Sequence, residues 1–358
     1  MDHMKEGDEP RFTTSALTAP TSRETSRTFA RHRHYLPGGS YLKPLTGYTE
    51  RGQLPQSVAM LFAILLHCTL SKVHPFPGHH GAVAPSPWYT ASVGGAPSFV
   101  WFTSVAARQN DASPNVPHTS LAKDTSFTSF DLAAPTTVTI TLLNGTATSA
   151  AVLPTSSRIE AHIASSSRTM ITLSIDRPRQ VCVIVNGNVD KPMCIFADPV
   201  ELNPPTAPSA SIVYFPPGVH NAGNITILKP NMTVYIAGGA LVFGQIIAPT
   251  YNNCDGLIVR GRGVLSGHRI TISNNAFAMI EARQVQNLLI EGITAIDAPH
   301  YQVRSYGAGG TIRFAKGIAW GFSTDGWSLG SYSLTEDSFF KVNDDSVKMF
   351  FTGSVIQR

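Results

Sequence analysis

Hydrophobic positions fall in short runs along most of this chain, and two rhythms separate them. From about Ser98 the runs SFVWF, TTVTITLLN, MITLSI, VCVIV and MCIFA alternate with turn-forming residues at intervals of roughly 8–12 residues, as in a β-sandwich. The Pro-rich stretch PVELNPPTAPSAS (199–211) closes that region. Beyond it, VYFPPGVH, ITILKPNMTVYIAGGALVFGQI, GLIVRGRGVLSG, AMIEARQVQNLLIEGITAID and TIRFAKGIAW place β-branched runs between Gly and Asn. Similar units recur every ~20–25 residues, the period of a solenoid whose coils stack. The strands lie too close together for intervening helices. The pattern therefore predicts an all-β chain: an N-terminal β-sandwich over 98–205, then a right-handed parallel β-helix over 206–358. A second ordinary sandwich is the alternative for the later half.

The N-terminal part follows neither rhythm. Residues 1–57 are polar, rich in Arg, Thr, Ser and Pro, and read as a disordered extension added by an over-extended gene model. Residues 58–73 carry an apolar core, Val58 to Leu66, too short for a bilayer that needs ~20 residues but suited to a secretory segment of ~7–15. On that reading translation begins at Met60. A buried core helix or strand is the alternative. Residues 74–97, rich in Pro, Gly and His, read as a linker. At the other end SVIQR is strand-like and uncapped, so the β-helix is expected to be incomplete, with apolar surface at Met349–Ile356 and poor solubility.

Composition narrows the class. Charged residues make up only 14% of the chain, low against a globular norm of about 25%, while Gly (29) and Pro (25) are frequent. That suits a turn-rich extracellular protein. The net charge of +4 is spread along the chain without a basic stripe, so nucleic acid is a poor partner. No stable membrane association is expected, and a monomer is. Cys182 and Cys194 lie symmetrically about Asn188 in a predicted hairpin, which makes a cross-strand disulfide and a pair of buried thiols equally open. Asn144, Asn224 and Asn231 begin N-x-[ST] sequons and are candidate glycosylation sites. The His pairs at 32–34 and 79–80 lack partners at metal-ligand spacing.

The chemistry concentrates near the end, in FSTDGWSLG and FFKVNDDSVKMFF. Asp344 and Asp345 follow Asp325 by 19 and 20 residues, about one coil. Coils stack at the ~4.8 Å strand spacing, so Asp325 can lie beneath the Asp344–Asp345 pair. Three crowded acids suit glycoside hydrolysis, because mutual repulsion holds one protonated while the others stay ionised to activate water. Trp320, Phe322 and Trp327 lie nearby, and Trp327 and Tyr301 are expected to line a substrate groove; His300 reads as a loop residue. Arg304 facing the acids would favour an acidic sugar. A calcium site built from these carboxylates and Asn343 is an alternative, as are a TDG turn and a solvated NDD turn.

T-D-G followed after one coil by D-D-x-x-K-M-F resembles the active-site signature of glycoside hydrolase family 49, the dextranases and isopullulanases. VYIAGGALVFGQI and GRGVLSG resemble the family's first solenoid coils. The resemblance covers roughly residues 98–358. It implies a secreted, inverting hydrolase of an α-glucan such as dextran or pullulan, with no cofactor. Carried across by motif, Asp344 is the general acid, Asp325 and Asp345 position and deprotonate the water, and Lys348 contacts substrate. Family 28 polygalacturonases share the fold and an Asp…Asp-Asp arrangement, but a Cys commonly follows their Asp pair where Ser346 stands here. The family's Trp-rich segment that opens the sandwich is not found in this chain. A non-catalytic carbohydrate-binding protein remains the reading from another class.

Overall fold

The computed structural model describes residues 71–77, 85–104, 124–270, 277–321 and 323–358. All of them belong to the unit Pro55–Arg358; the other unit, Met1–Leu54, lies outside the described residues. The expected extension, and the secretory-like segment up to Leu70, also lie outside them. Among the described residues the chain is all-β apart from one 3₁₀ turn at Thr155–Ser157.

Two sheets form the sandwich. One has six strands, with Thr125–Leu132, Met193–Pro199 and Arg179–Val185 adjacent at its centre. The other has five strands and includes Tyr89–Val93, Thr136–Leu142 and Met170–Ile175. Val138, Ile140, Ile171 and Leu173 of the five-stranded sheet meet Phe130, Val183 and Ile195 of the other in one buried core. The sandwich starts before residue 98: Lys72–Val73 pairs with Thr125–Leu132, and Tyr89–Val93 pairs with Thr136–Leu142. These strands are short and set among Pro, Gly and His, so their composition resembles a linker.

Arg179–Val185 and Met193–Pro199 form the expected hairpin, and its turn places Asn186 and Gly187 at positive φ. Cys182 and Cys194 are register partners joined by a disulfide. Both strands are buried on both faces, which explains why they read as continuous apolar runs. Their second face packs against the solenoid: Trp101, Phe127, Phe196 and the disulfide share a cluster with Leu241, Phe243, Ile296 and Ile318.

The second region is a parallel β-solenoid. Successive coils are Leu289–Glu291, Thr294–Ile296, Tyr301–Arg304; then Thr311–Arg313, Lys316–Ile318, Trp327–Leu329; then Leu334–Glu336, Phe339–Lys341, Val347–Met349. The first strand of each coil joins a seven-stranded parallel sheet. The second and third strands extend two arms from the long strand Ala240–Ile247, which pairs with both. In the seven-stranded sheet Val234, Val259, Ile290, Ile312 and Thr335 stack in register into the core. Each fully buried Val or Ile contributes ~1.5–3 kcal/mol of burial free energy. The neighbouring register column runs Arg260, Glu291, Arg313, Glu336, alternating in charge.

After each first strand one residue with positive φ turns the corner: Gly261, Gly292, Phe314 and Asp337. At Gly261 a Cβ would lie 1.9 Å from the Ile236 carbonyl oxygen, so only glycine fits.

Solenoid and sandwich are also tied by buried charge. Lys316 Nζ lies 2.6 and 2.5 Å from the Asp198 carboxylate oxygens and donates to the Gly292 carbonyl. Arg262 Nε donates to Asp131 at 2.6 Å, and His74 lies 3.4 Å from the same carboxylate. Burying such charges is costly unless they are paired, so the two regions are held in one register.

Candidate active site

The sequence-predicted acids lie in the bends that lead into the third strands of two successive coils. Trp327 pairs with Val347, and two residues earlier Asp325 falls opposite Asp345. The backbone confirms that register, since Gly326 N–H donates to the Asp345 carbonyl at 2.9 Å and Trp327 N–H to that of Ser346. Gly326 serves close approach rather than a turn: a Cβ there would sit 2.0 Å from the Ser346 carbonyl oxygen. The Thr324 hydroxyl donates to the Gly321 carbonyl at 2.9 Å, which fixes the loop entering the site.

Asp325 is fully buried, whereas Asp344 and Asp345 are exposed. Lys348 Nζ stands 3.1 Å from Asp325 Oδ2 and 3.5 Å from Asp345 Oδ2. Neither Asp325 oxygen makes a well-formed hydrogen bond among the described residues, so this ammonium is its principal partner. Asp344 Oδ1 accepts the Asp345 N–H at 2.9 Å, and no cation among the described residues lies within ion-pair reach of Asp344. Burial acts to lower the Lys348 pKa, but the neighbouring Tyr301 and the Asp325 carboxylate outweigh it and raise the value. The Lys348 ammonium lies between the two carboxylates.

One coil earlier, Tyr301 lies opposite Asp325: Gln302 N–H donates to the Asp325 carbonyl at 2.8 Å. Lys348 sits 5.1 Å from the centre of the Tyr301 ring. Burial raises the Tyr301 pKa, with the Asp325 charge adding to it and Lys348 opposing. His300 stacks on Phe277 at 4.3 Å and on Tyr301 at 5.5 Å, and burial holds its pKa below the ordinary value. It stands in the bend before the strand Tyr301–Arg304, as part of an aromatic shelf. Phe277 was not singled out by the sequence. The signal for it lay in coil spacing, since its neighbour Ala278 is the register partner of Tyr301.

One expectation is corrected, and the condition that would have favoured an acidic sugar is not met. Trp327 does not line the groove: it is 1% exposed, packs edge-on to Phe340 at 4.6 Å and belongs to the solenoid core. Strand alternation puts it on the opposite face from Ser328 and Lys348, which a spacing argument alone did not resolve. Arg304 does not face the acids with a free charge either, because its guanidinium pairs with Glu281 at 2.8 Å. Trp320 has the Lys341 ammonium 5.4 Å from its ring, and Phe322 lies outside the described residues.

A cavity of 660 Å³ lies on the sandwich, away from these acids, where Arg158, Arg177 and Arg179 face Glu160 and Asp176. Its opposite charges largely cancel, and it holds none of the chemistry above. Among the described residues no group of three His, Cys, Asp or Glu side chains is arranged to hold a metal ion.

A β-sandwich joined to a parallel β-solenoid that carries three acids on adjacent coils defines the architecture of the molecule. No family model matches the chain. It is 28% identical to a dextranase of Arthrobacter globiformis, over 43% of this chain and 28% of that protein. It is 29% identical to a dextranase of Talaromyces minioluteus, over 41% of this chain and 29% of that protein. The chain therefore spans less than a third of the length of these relatives. In fold it is similar to Dex49A from Penicillium minioluteum, with a TM-score of 0.64, 20% identity, and coverage of 81% of this chain and 67% of that one. The likeness to the family 49 dextranases is thus present in sequence and in fold.

Proposed function

We propose that this protein is a secreted glycoside hydrolase that cleaves an α-glucan such as dextran with inversion. Asp344 protonates the leaving glycosidic oxygen, while Asp325 and Asp345 orient and deprotonate the attacking water. The observation that carries this reading is the stacking of Asp325 under Asp345 with one ammonium between them, beside an exposed Asp344 that has no ion-pair partner among the described residues. Inverting enzymes keep acid and base ~6.5–9.5 Å apart to admit water, a span that two coils can provide. Tyr301, with Phe277 and His300 behind it, offers aromatic surface for a neighbouring sugar.

A neutral glucan fits better than a polyuronate. Among the described residues, Arg304 is engaged by Glu281 and Lys348 by Asp325 and Asp345. The disulfide and the exposure of Asn144, Asn224 and Asn231 support export to an oxidising compartment. No described helix is long and apolar enough to cross a membrane.

The test is release of reducing ends from dextran, pullulan and polygalacturonate, with Asp344→Asn as the matched control. Activity on dextran or pullulan that the substitution abolishes supports the proposal. Activity on polygalacturonate alone transfers the protein to the pectinases. No release from any of the three, by folded protein, favours a binding role.

A further inference from the structure

We propose that Lys348 is a positioning residue: its ammonium bridges Asp325 and Asp345 and aims both carboxylates at one point, leaving Asp344 to meet the leaving glycosidic oxygen. This rests on the hydrolase reading and reassigns a side chain expected to bind substrate.

Two carboxylates one coil apart repel each other, and the repulsion is strongest where one of them is cut off from water. Asp325 is that one, being fully buried. Left alone, the two carboxylates would push each other apart, and the water-activating half of the site would lose its shape. Lys348 supplies the compensating charge to both members at once, 3.1 Å from Asp325 and 3.5 Å from Asp345. Its backbone is fixed by pairing with Ser328 on the preceding coil, so the ammonium reaches the carboxylates from a rigid strand.

The remaining charged and titratable groups around the site do not duplicate this role. On the adjoining strands Arg304 is committed to Glu281, which also pairs with Arg283 at 3.1 Å. His300 is pushed towards its neutral form by burial, and Tyr301 carries a raised pKa. Asp344, next to Asp345 in sequence, has no such counter-charge among the described residues. The asymmetry sets the two bridged carboxylates apart from the third.

The experiment compares the wild type with Lys348→Met and Lys348→Arg by two readouts. The first is the pH profile of kcat and KM on dextran. For Lys348→Met the expected result is a fall in kcat of about 10²-fold, the scale of acid–base catalysis, with KM little changed. The acidic limb of the profile should move up by about one pH unit, and Lys348→Arg should restore most of both. The second readout is the infrared titration of the carboxylates without substrate, in which Lys348→Met should shift the cluster's protonation to higher pH. A rise in KM with kcat and profile unchanged would make Lys348 a substrate contact and overturn the proposal. So would an unmoved carboxylate titration in folded Lys348→Met. If the wild type cleaves no glucan yet the titration shifts, the hydrolase reading fails while the positioning role of Lys348 stands.

Discussion

Asp325 and Asp345 face each other across adjacent coils, with the Gly326 N–H bonded to the Asp345 carbonyl at 2.9 Å and one lysine bridging both carboxylates. Two acids 20 residues apart in the chain thus form one electrostatic unit. Their geometry depends on how closely two coils can approach.

That dependence predicts the effect of Gly326→Ala. The added methyl would meet the Ser346 carbonyl oxygen, a backbone atom that cannot rotate away. The coils must then separate and the acids lose register. Activity should fall by 10²-fold or more, since a misplacement of about 1 Å costs that much. Reducing-end assays together with circular dichroism would check it; full activity would show that the coil contact is dispensable.

Asp344→Asn should leave stability almost untouched, because the side chain is exposed and an Asn oxygen can still accept the Asp345 N–H. A surface change of this kind shifts stability by about 0.5 kcal/mol or less. Hydrolysis should nevertheless drop by about 10²–10⁴-fold, the range for losing a general acid. An equal loss of melting temperature and activity would mean that the residue is structural.

Trp327 should behave as core. Truncation to Ala should cost ~3–5 kcal/mol of stability, as for other buried aromatic residues. Trp327→Phe keeps much of the packing against Phe340, and KM on dextran should stay close to the wild-type value. A large rise in KM for that variant would return Trp327 to the groove.

The contact between sandwich and solenoid predicts acid sensitivity. Burial would raise the Asp131 pKa, but hydrogen bonds and charge from His74 and Arg262 outweigh it and hold the value below 3.8. A carboxyl whose pKa is lower when folded adds stability above its unfolded pKa, and that stability is lost as pH falls through the folded value. The melting temperature should therefore decline below about pH 4, the ordinary carboxylate range. Asp131→Asn should melt lower near neutral pH, because breaking a buried pair costs ~3–5 kcal/mol, and should show a flatter acid dependence. Parallel melting curves for the two proteins would refute this contribution.

What the sequence determined by itself was whatever a short period encodes. Runs of β-branched residues at coil spacing set the solenoid, because stacked coils must present apolar residues inward at each repeat. The 19- and 20-residue separations brought Asp325 beneath the Asp344–Asp345 pair for the same reason. The hairpin with Cys182 opposite Cys194 was legible from its turn chemistry. Strands in Pro- and Gly-rich company, such as Tyr89–Val93, were not legible, because long-range pairing with Thr136–Leu142 overrides their local composition.

Only the tertiary structure decided which way side chains point where a strand begins at a bend. Trp327 and Lys348 are both close to the acids in sequence, yet one is in the core and the other between two carboxylates. The charge that Arg304 offers was likewise settled by Glu281, 23 residues away in the chain and one coil away in space. Periodicity specifies where coils stack, whereas the partner of each charge depends on which neighbours the stacking brings within a few ångströms.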